Sequence, residues 1–100
     1  MKNVDDFTEQ IKIFREDYVS VVIYRNITGG KCYYDVKPYR LIWERQHDGT
    51  RKRKWKGGAN FKPNDCPKLI RLFEQAQTLL DNPDELNSLS GADADLKALA

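Results

Sequence analysis

The chain has 100 residues, with 17 Lys and Arg against 15 Asp and Glu, and 40% of it is hydrophobic. That length holds one domain, and no apolar run approaches the roughly 18 residues of a membrane-spanning helix. The opening Met1–Asp6 is acidic and lacks an apolar stretch, which argues against a secretory signal and for a cytoplasmic or, in a eukaryote, nuclear protein. Cys32, Cys66 and the lone His47 lack metal-ligand spacing, so neither a metal nor a cofactor is expected, and the two thiols read as reduced and buried. A domain this small leaves roughly a third or more of its unfolded surface exposed, so pairing of two copies is a natural way to add burial.

Residues 1–10 carry no clear pattern, and Gln10–Glu16 is a candidate additional strand. Tyr18–Arg25 is β-branched and aromatic and reads as a strand. Asn26–Gly30 supplies turn chemistry, and Lys31–Val36 reads as the return strand, which Pro38 either limits or marks as a sheet edge or bend. Tyr39–Arg45 is a further strand candidate, and His47–Thr50 is a second hairpin turn. Arg51–Lys56 is a basic strand that Gly57-Gly58 ends.

From Asn64 the period changes. Leu69, Leu72, Phe73, Ala76 and Leu80 form one apolar stripe of a helix, with Asn64 or Asp65 at its N-cap. Asp81-Asn82-Pro83 stops it, and Asn82 is placed to cap a short second helix. Residues 1–82 thus read as a single β-β-β-β-α domain. Residues 83–100 read as a short helix or a flexible acidic tail. Strands followed by a helix imply an α+β fold, a curved antiparallel sheet of about four strands with one face covered.

Charge is unevenly spread. Residues 31–62 carry ten basic and three acidic groups, while residues 63–100 carry three basic and seven acidic ones. Tyr33, Tyr34, Tyr39, Trp43 and Trp55 are interleaved with the basic run. Alternation along the strands puts Val19, Val21 and Ile23 on one face with Cys32, Tyr34 and Val36. Tyr24, Lys31, Tyr33 and Lys37 fall on the other, joined either by Arg51, Arg53 and Trp55 or by Lys52, Lys54 and Lys56. Aromatic side chains flanked by cations on an open sheet suit single-stranded nucleic acid. Bases stack on the rings for about 1–3 kcal/mol each, and the cations follow the phosphates. Simpler readings stand beside this one. Tyr24 and Tyr33 suit a cross-strand pair, Trp55 a core or dimer contact, and Arg51–Lys54 a guard on an edge strand.

The ordered set of motifs resembles the positive-cofactor-four type of transcriptional coactivator and its small bacterial single-strand-binding relatives. Tyr18-Val19-Ser20-Val21 is similar to that family's opening strand. Gly30-Lys31 and Tyr34–Tyr39 are similar to its turn and second strand, Trp55-Lys56-Gly57 to its basic lysine–glycine step, and Phe61-Lys62-Pro63 with Leu69 and Phe73 to its helix entry. The resemblance covers roughly residues 15–80. It implies a homodimer, paired through helices and sheets, with a groove for two antiparallel single strands. It assigns ligand contacts to Tyr24, Lys31, Lys37 and Lys56. Arg40 stands where the family has its second stacking tryptophan, and its planar cation is itself able to stack.

No catalytic constellation is present: His47 has no argued partner and Gly57-Gly58 is no phosphate loop. The expectation is a non-enzymatic single-stranded DNA-binding protein of the transcription or replication cofactor type. Its candidate contacts are Tyr24, Lys31, Tyr33, Lys37, Arg40, Arg51, Lys52, Arg53, Lys54, Trp55 and Lys56. An RNA binder using the same sheet and a protein-interaction module that meets transcription or replication proteins are the alternatives.

Overall fold

A computed structural model describes residues 6–91 and 94–100. Met1–Asp5, on which most of the reading against a secretory signal rests, lies outside the described residues, as do Ala92 and Asp93 of the acidic stretch. Four strands run in chain order across one antiparallel sheet: β1 (Phe7–Glu16), β2 (Val19–Thr28), β3 (Lys31–Arg45) and β4 (Arg51–Gly57). Two helices follow, α1 (Cys66–Leu80) and α2 (Pro83–Ser88). The fold is therefore α+β, an open four-stranded sheet followed by a helix. No described helix is long and apolar enough to cross a membrane.

The strand boundaries differ from expectation in three informative ways. The first concerns Gly29 and Gly30, which have φ of +58° and +76° and close a two-residue turn. A primed turn of this kind matches strand twist, so β2 continues to Thr28 and the hairpin zips to Lys31. The second concerns Pro38, which does not divide the return strand; β3 runs through it for 15 residues. The Leu41 N–H donates to the Tyr18 carbonyl on the β2 side. Backbone direction alternates along a strand, so the Pro38 nitrogen faces the β4 side. The β3–β4 ladder begins only at Tyr39 and Gly57, so no hydrogen bond is lost there. The region left ambiguous before Gln10 is also strand: β1 begins at Phe7 and pairs with Ile27.

One face of the sheet carries the main core. Ile11, Val19, Val21 and Ile23 pack against Leu72, Ala76 and Leu79 of α1 and Leu86 of α2. Each fully buried Val, Leu or Ile side chain among these is worth about 1.5–3 kcal/mol. The helix stripe is thus rotated from the expected one. Leu79 is buried, whereas Phe73 is 40% exposed. Asp65 sits at the helix N-cap position but its carboxylate turns back, accepting from the Lys62 N–H at 2.7 Å and from Arg40 at 2.8 Å. Arg25 fastens the C-terminal end of α2 by donating to the carbonyls of Leu86 at 2.8 Å and Leu89 at 2.9 Å. The Asn82 side chain accepts the Glu85 N–H at the start of α2.

The expectation of buried thiols is not met: Cys32 and Cys66 are both exposed. Cys32 does lie on the helix side by register, opposite Ile27, but at the hairpin tip that the helices leave uncovered.

Candidate nucleic-acid interface

Register decides which side chains share the face opposite α1. Val19, Val21 and Ile23 lie under the helix, so Ser20, Val22, Tyr24 and Asn26 point the other way. Their cross-strand partners Tyr39, Lys37, Asp35 and Tyr33 share that face. Continuing in step along β3 come Leu41, Trp43 and Arg45, paired with Trp55, Arg53 and Arg51 of β4.

This resolves the two options for β4. Arg51, Arg53 and Trp55 join the open face. Lys52, Lys54 and Lys56 belong to the helix side, where Lys54 pairs with Glu44 at 3.1 Å. Arg40 is on the helix side too, half-buried and held by Asp65, so it is not placed to stack on a base. Tyr24 and Tyr33 are not directly opposite; Tyr24 faces Asp35 and Tyr33 faces Asn26.

The face has three parts. At the β2–β3 hairpin end, Lys31 and Tyr33 are exposed, and the Lys37 ammonium lies 5.2 Å from the Tyr24 ring centroid. Asp35, the carboxylate there, already accepts from the Asn26 amide at 2.9 Å. At the opposite end Trp43 is 63% exposed beside Arg45, Arg51 and Arg53. Among the described residues, no carboxylate lies within ion-pair distance of those three arginines. Asp48 in the adjoining turn is instead occupied by the Thr50 hydroxyl and then the Thr50 N–H, which hold its carboxyl below the usual range.

The middle of the face is covered. Trp55 is only 7% exposed, packed with Val22, Leu41 and Leu96. The Arg15 guanidinium lies 5.1 Å above its ring. Of the two readings of Trp55, a stacking contact or a core position, the structure shows the core position: its indole is packed on both sides. The cover comes from the end of the described chain. Leu96–Leu99 forms a single 3-10 turn, capped where the Asp95 side chain accepts the Lys97 N–H. Residues 83–100 read from sequence as a short helix or a flexible acidic tail; in this stretch of them Ala94 and Leu96 are buried. A groove of about 510 Å³ remains beside it, lined by Tyr24, Tyr39, Arg53, Trp55 and Lys97 among others.

Tyr24 and Tyr39 meet through their hydroxyls at 2.5 Å in this groove. Burial, and then this hydrogen bond, push the Tyr24 phenol well above its ordinary pKa, so it stays neutral. The Tyr39 ring lies across Gly57, where a Cβ would come within 3.1 Å of it. Glycine there gives the ring its seat. Tyr39, Arg15 and Arg45 were not among the candidate contacts read from sequence. Tyr39 and Arg45 are in step with Lys37 along β3, so strand alternation carried through Pro38 would have found them.

Among the described residues, no group of three His, Cys, Asp or Glu side chains is arranged to hold a metal ion. No protein-family model, curated protein or solved structure matches the chain.

Proposed function

We propose that this protein binds single-stranded DNA along the sheet face opposite α1, without chemistry of its own. The observation that carries this reading is the cluster of Arg45, Arg51 and Arg53 around the exposed Trp43. Like charges placed directly opposite across a ladder, as Arg45 and Arg51 are, destabilise a sheet. An anion lying across them removes that repulsion, and an exposed indole beside them supplies a stacking surface. Phosphate and base together match this pairing of groups. Lys31, Tyr33 and Lys37 repeat the combination at the other end of the face.

Because β4 is an edge strand, its cations also discourage edge-to-edge association. That role accounts for Lys52 and Lys56, but not for an exposed tryptophan amid arginines. A duplex offers no free base face, so stacking selects unpaired strands. The resemblance to the positive-cofactor-four family points to the same ligand, to a cofactor role in transcription or replication, and to a homodimer. Ile70 and Phe73, 59% and 40% exposed on α1, are the side chains such a dimer would cover.

Fluorescence anisotropy of a labelled mixed-sequence DNA strand tests the proposal, with duplex and RNA of the same sequence alongside. Tight, salt-sensitive binding to the DNA strand and much weaker binding to duplex is the expected result. Equal binding of the RNA would make RNA an equal ligand. No binding at low salt would refute the reading and leave the basic face as a protein contact. Sedimentation velocity reads the oligomeric state directly.

A further inference from the structure

We infer that the segment Ala94–Ala100 is a built-in competitor of the strand: it occupies the middle of the ligand face and lifts off Trp55 when nucleic acid binds. The inference rests on the proposed function and assigns a regulatory device to that same face.

Its first support is position. The two exposed aromatic-cationic patches, at Tyr33 and at Trp43, sit towards opposite ends of the 15-residue β3. A strand passing from one to the other must cross Tyr39 and Leu41, where Leu96 is seated with Val22 and Trp55. Both cannot use that surface at once.

The second support is how lightly the segment is held. Leu96 is its one large buried side chain, while Leu99 is 37% exposed. Its polar ties to the sheet are the Leu96 N–H donating to Gln10 Oε1 at 2.9 Å and Arg15 donating to the Leu99 carbonyl at 3.1 Å. Seven residues are ordered for these few contacts, and ordering backbone opposes closure.

The third support is a pair of unmet polar atoms on this face. Trp55 Nε1 and Ser20 Oγ, both buried on this face, have no hydrogen-bond partner among the described residues. A buried donor without an acceptor favours any rearrangement that gives it one. Opening provides water or a ligand oxygen. It also frees Arg15 beside an uncovered indole, which gives the middle of the face the same cation-and-ring pairing as its ends. The closed form is thus a shallow minimum over a surface built like the rest of the binding face.

Two measurements on the full chain test this. In the wild type, hydrogen exchange at the Leu96 amide should speed up on saturation with a short oligothymidylate, while amides of β3 do not. In Leu96→Ser, the affinity for that strand should rise; if roughly one molecule in ten is open at rest, the gain is about tenfold. Unchanged Leu96 exchange together with unchanged affinity would overturn the competitor and leave strand binding standing. Failure of both proteins to bind the strand would overturn both. Should Leu96→Ser not fold by circular dichroism, the exchange measurement on the wild type decides alone.

Discussion

Arg15 lies over the Trp55 ring at 5.1 Å, and the same guanidinium donates to the Leu99 carbonyl at 3.1 Å. One side chain on edge strand β1 therefore spans to the opposite edge strand, β4, and clasps the end of the described chain between them. Trp55 is the residue that sequence most readily offers as a stacking platform, and Arg15 is part of why it is covered instead.

Replacing Arg15 with alanine removes a cation over a buried ring and the packing of its aliphatic stem. The expected loss is about 1–2 kcal/mol of stability. Urea unfolding followed by circular dichroism measures it. A midpoint unchanged from wild type would show that Arg15 is merely resting on the surface.

The two tryptophans should differ sharply in what they contribute to stability. Trp55→Ala empties a buried site and should cost about 3–5 kcal/mol in folding. Trp43→Ala alters a side chain that is 63% exposed and should leave stability within about 0.5 kcal/mol. Its effect should appear in strand affinity instead, as a loss of about 1–3 kcal/mol. Thermal melts and anisotropy on the same two samples check both halves. A Trp43→Ala variant that binds as the wild type does would remove the stacking half of the proposal.

Much of this arrangement is legible in sequence. The run Val19–Ile23 marks a strand, and alternation alone assigns Tyr24, Tyr33 and Lys37 to the face opposite the helix, where the register places them. Alternation is local, which is why it works there. It falters at β1, where a bulge between Gln10 and Lys12 resets the parity and puts Ile11 into the main core. It cannot tell which parity of β4 faces outward, because both parities are basic. It also cannot see the cover over Trp55, since Leu96 reaches it from far along the chain. The exposure of Phe73 has the same origin: Leu72, Ala76 and Leu79 meet the sheet, and a helix turned towards them leaves Phe73 at the margin.

Asp65 should give stability a specific acid limb. The Lys62 N–H first, and then Arg40, hold its carboxyl below the usual range, against the opposing effect of burial. A carboxyl depressed in the folded state contributes fully above its unfolded value, about 3.9. That contribution fades as pH falls through the lower, folded value. Asp65→Asn should therefore be less stable at neutral pH by about 1–3 kcal/mol, since Arg40 loses its charged partner. The gap between the two proteins should shrink as the solution is taken below about pH 4. Urea midpoints across a pH series check this, and a gap that stays constant into acid would mean that the carboxylate's charge is not what matters.

Arg53 and Lys54 are neighbours in sequence on opposite faces of β4, which makes them a sharp test of which face meets the ligand. Each phosphate neutralised on a single strand contributes about 0.7 to the slope of log affinity against log salt. Arg53→Ala should weaken strand binding and reduce that slope by about 0.7. Lys54→Ala, which breaks only the surface pair with Glu44, should leave the slope unchanged and cost at most about 1 kcal/mol of stability. Both variants conserve the fold's backbone pairing, so the comparison isolates charge and face. If Lys54→Ala reduces the slope and Arg53→Ala does not, the strand runs along the helix side of β4, and Trp43 has no part in holding it.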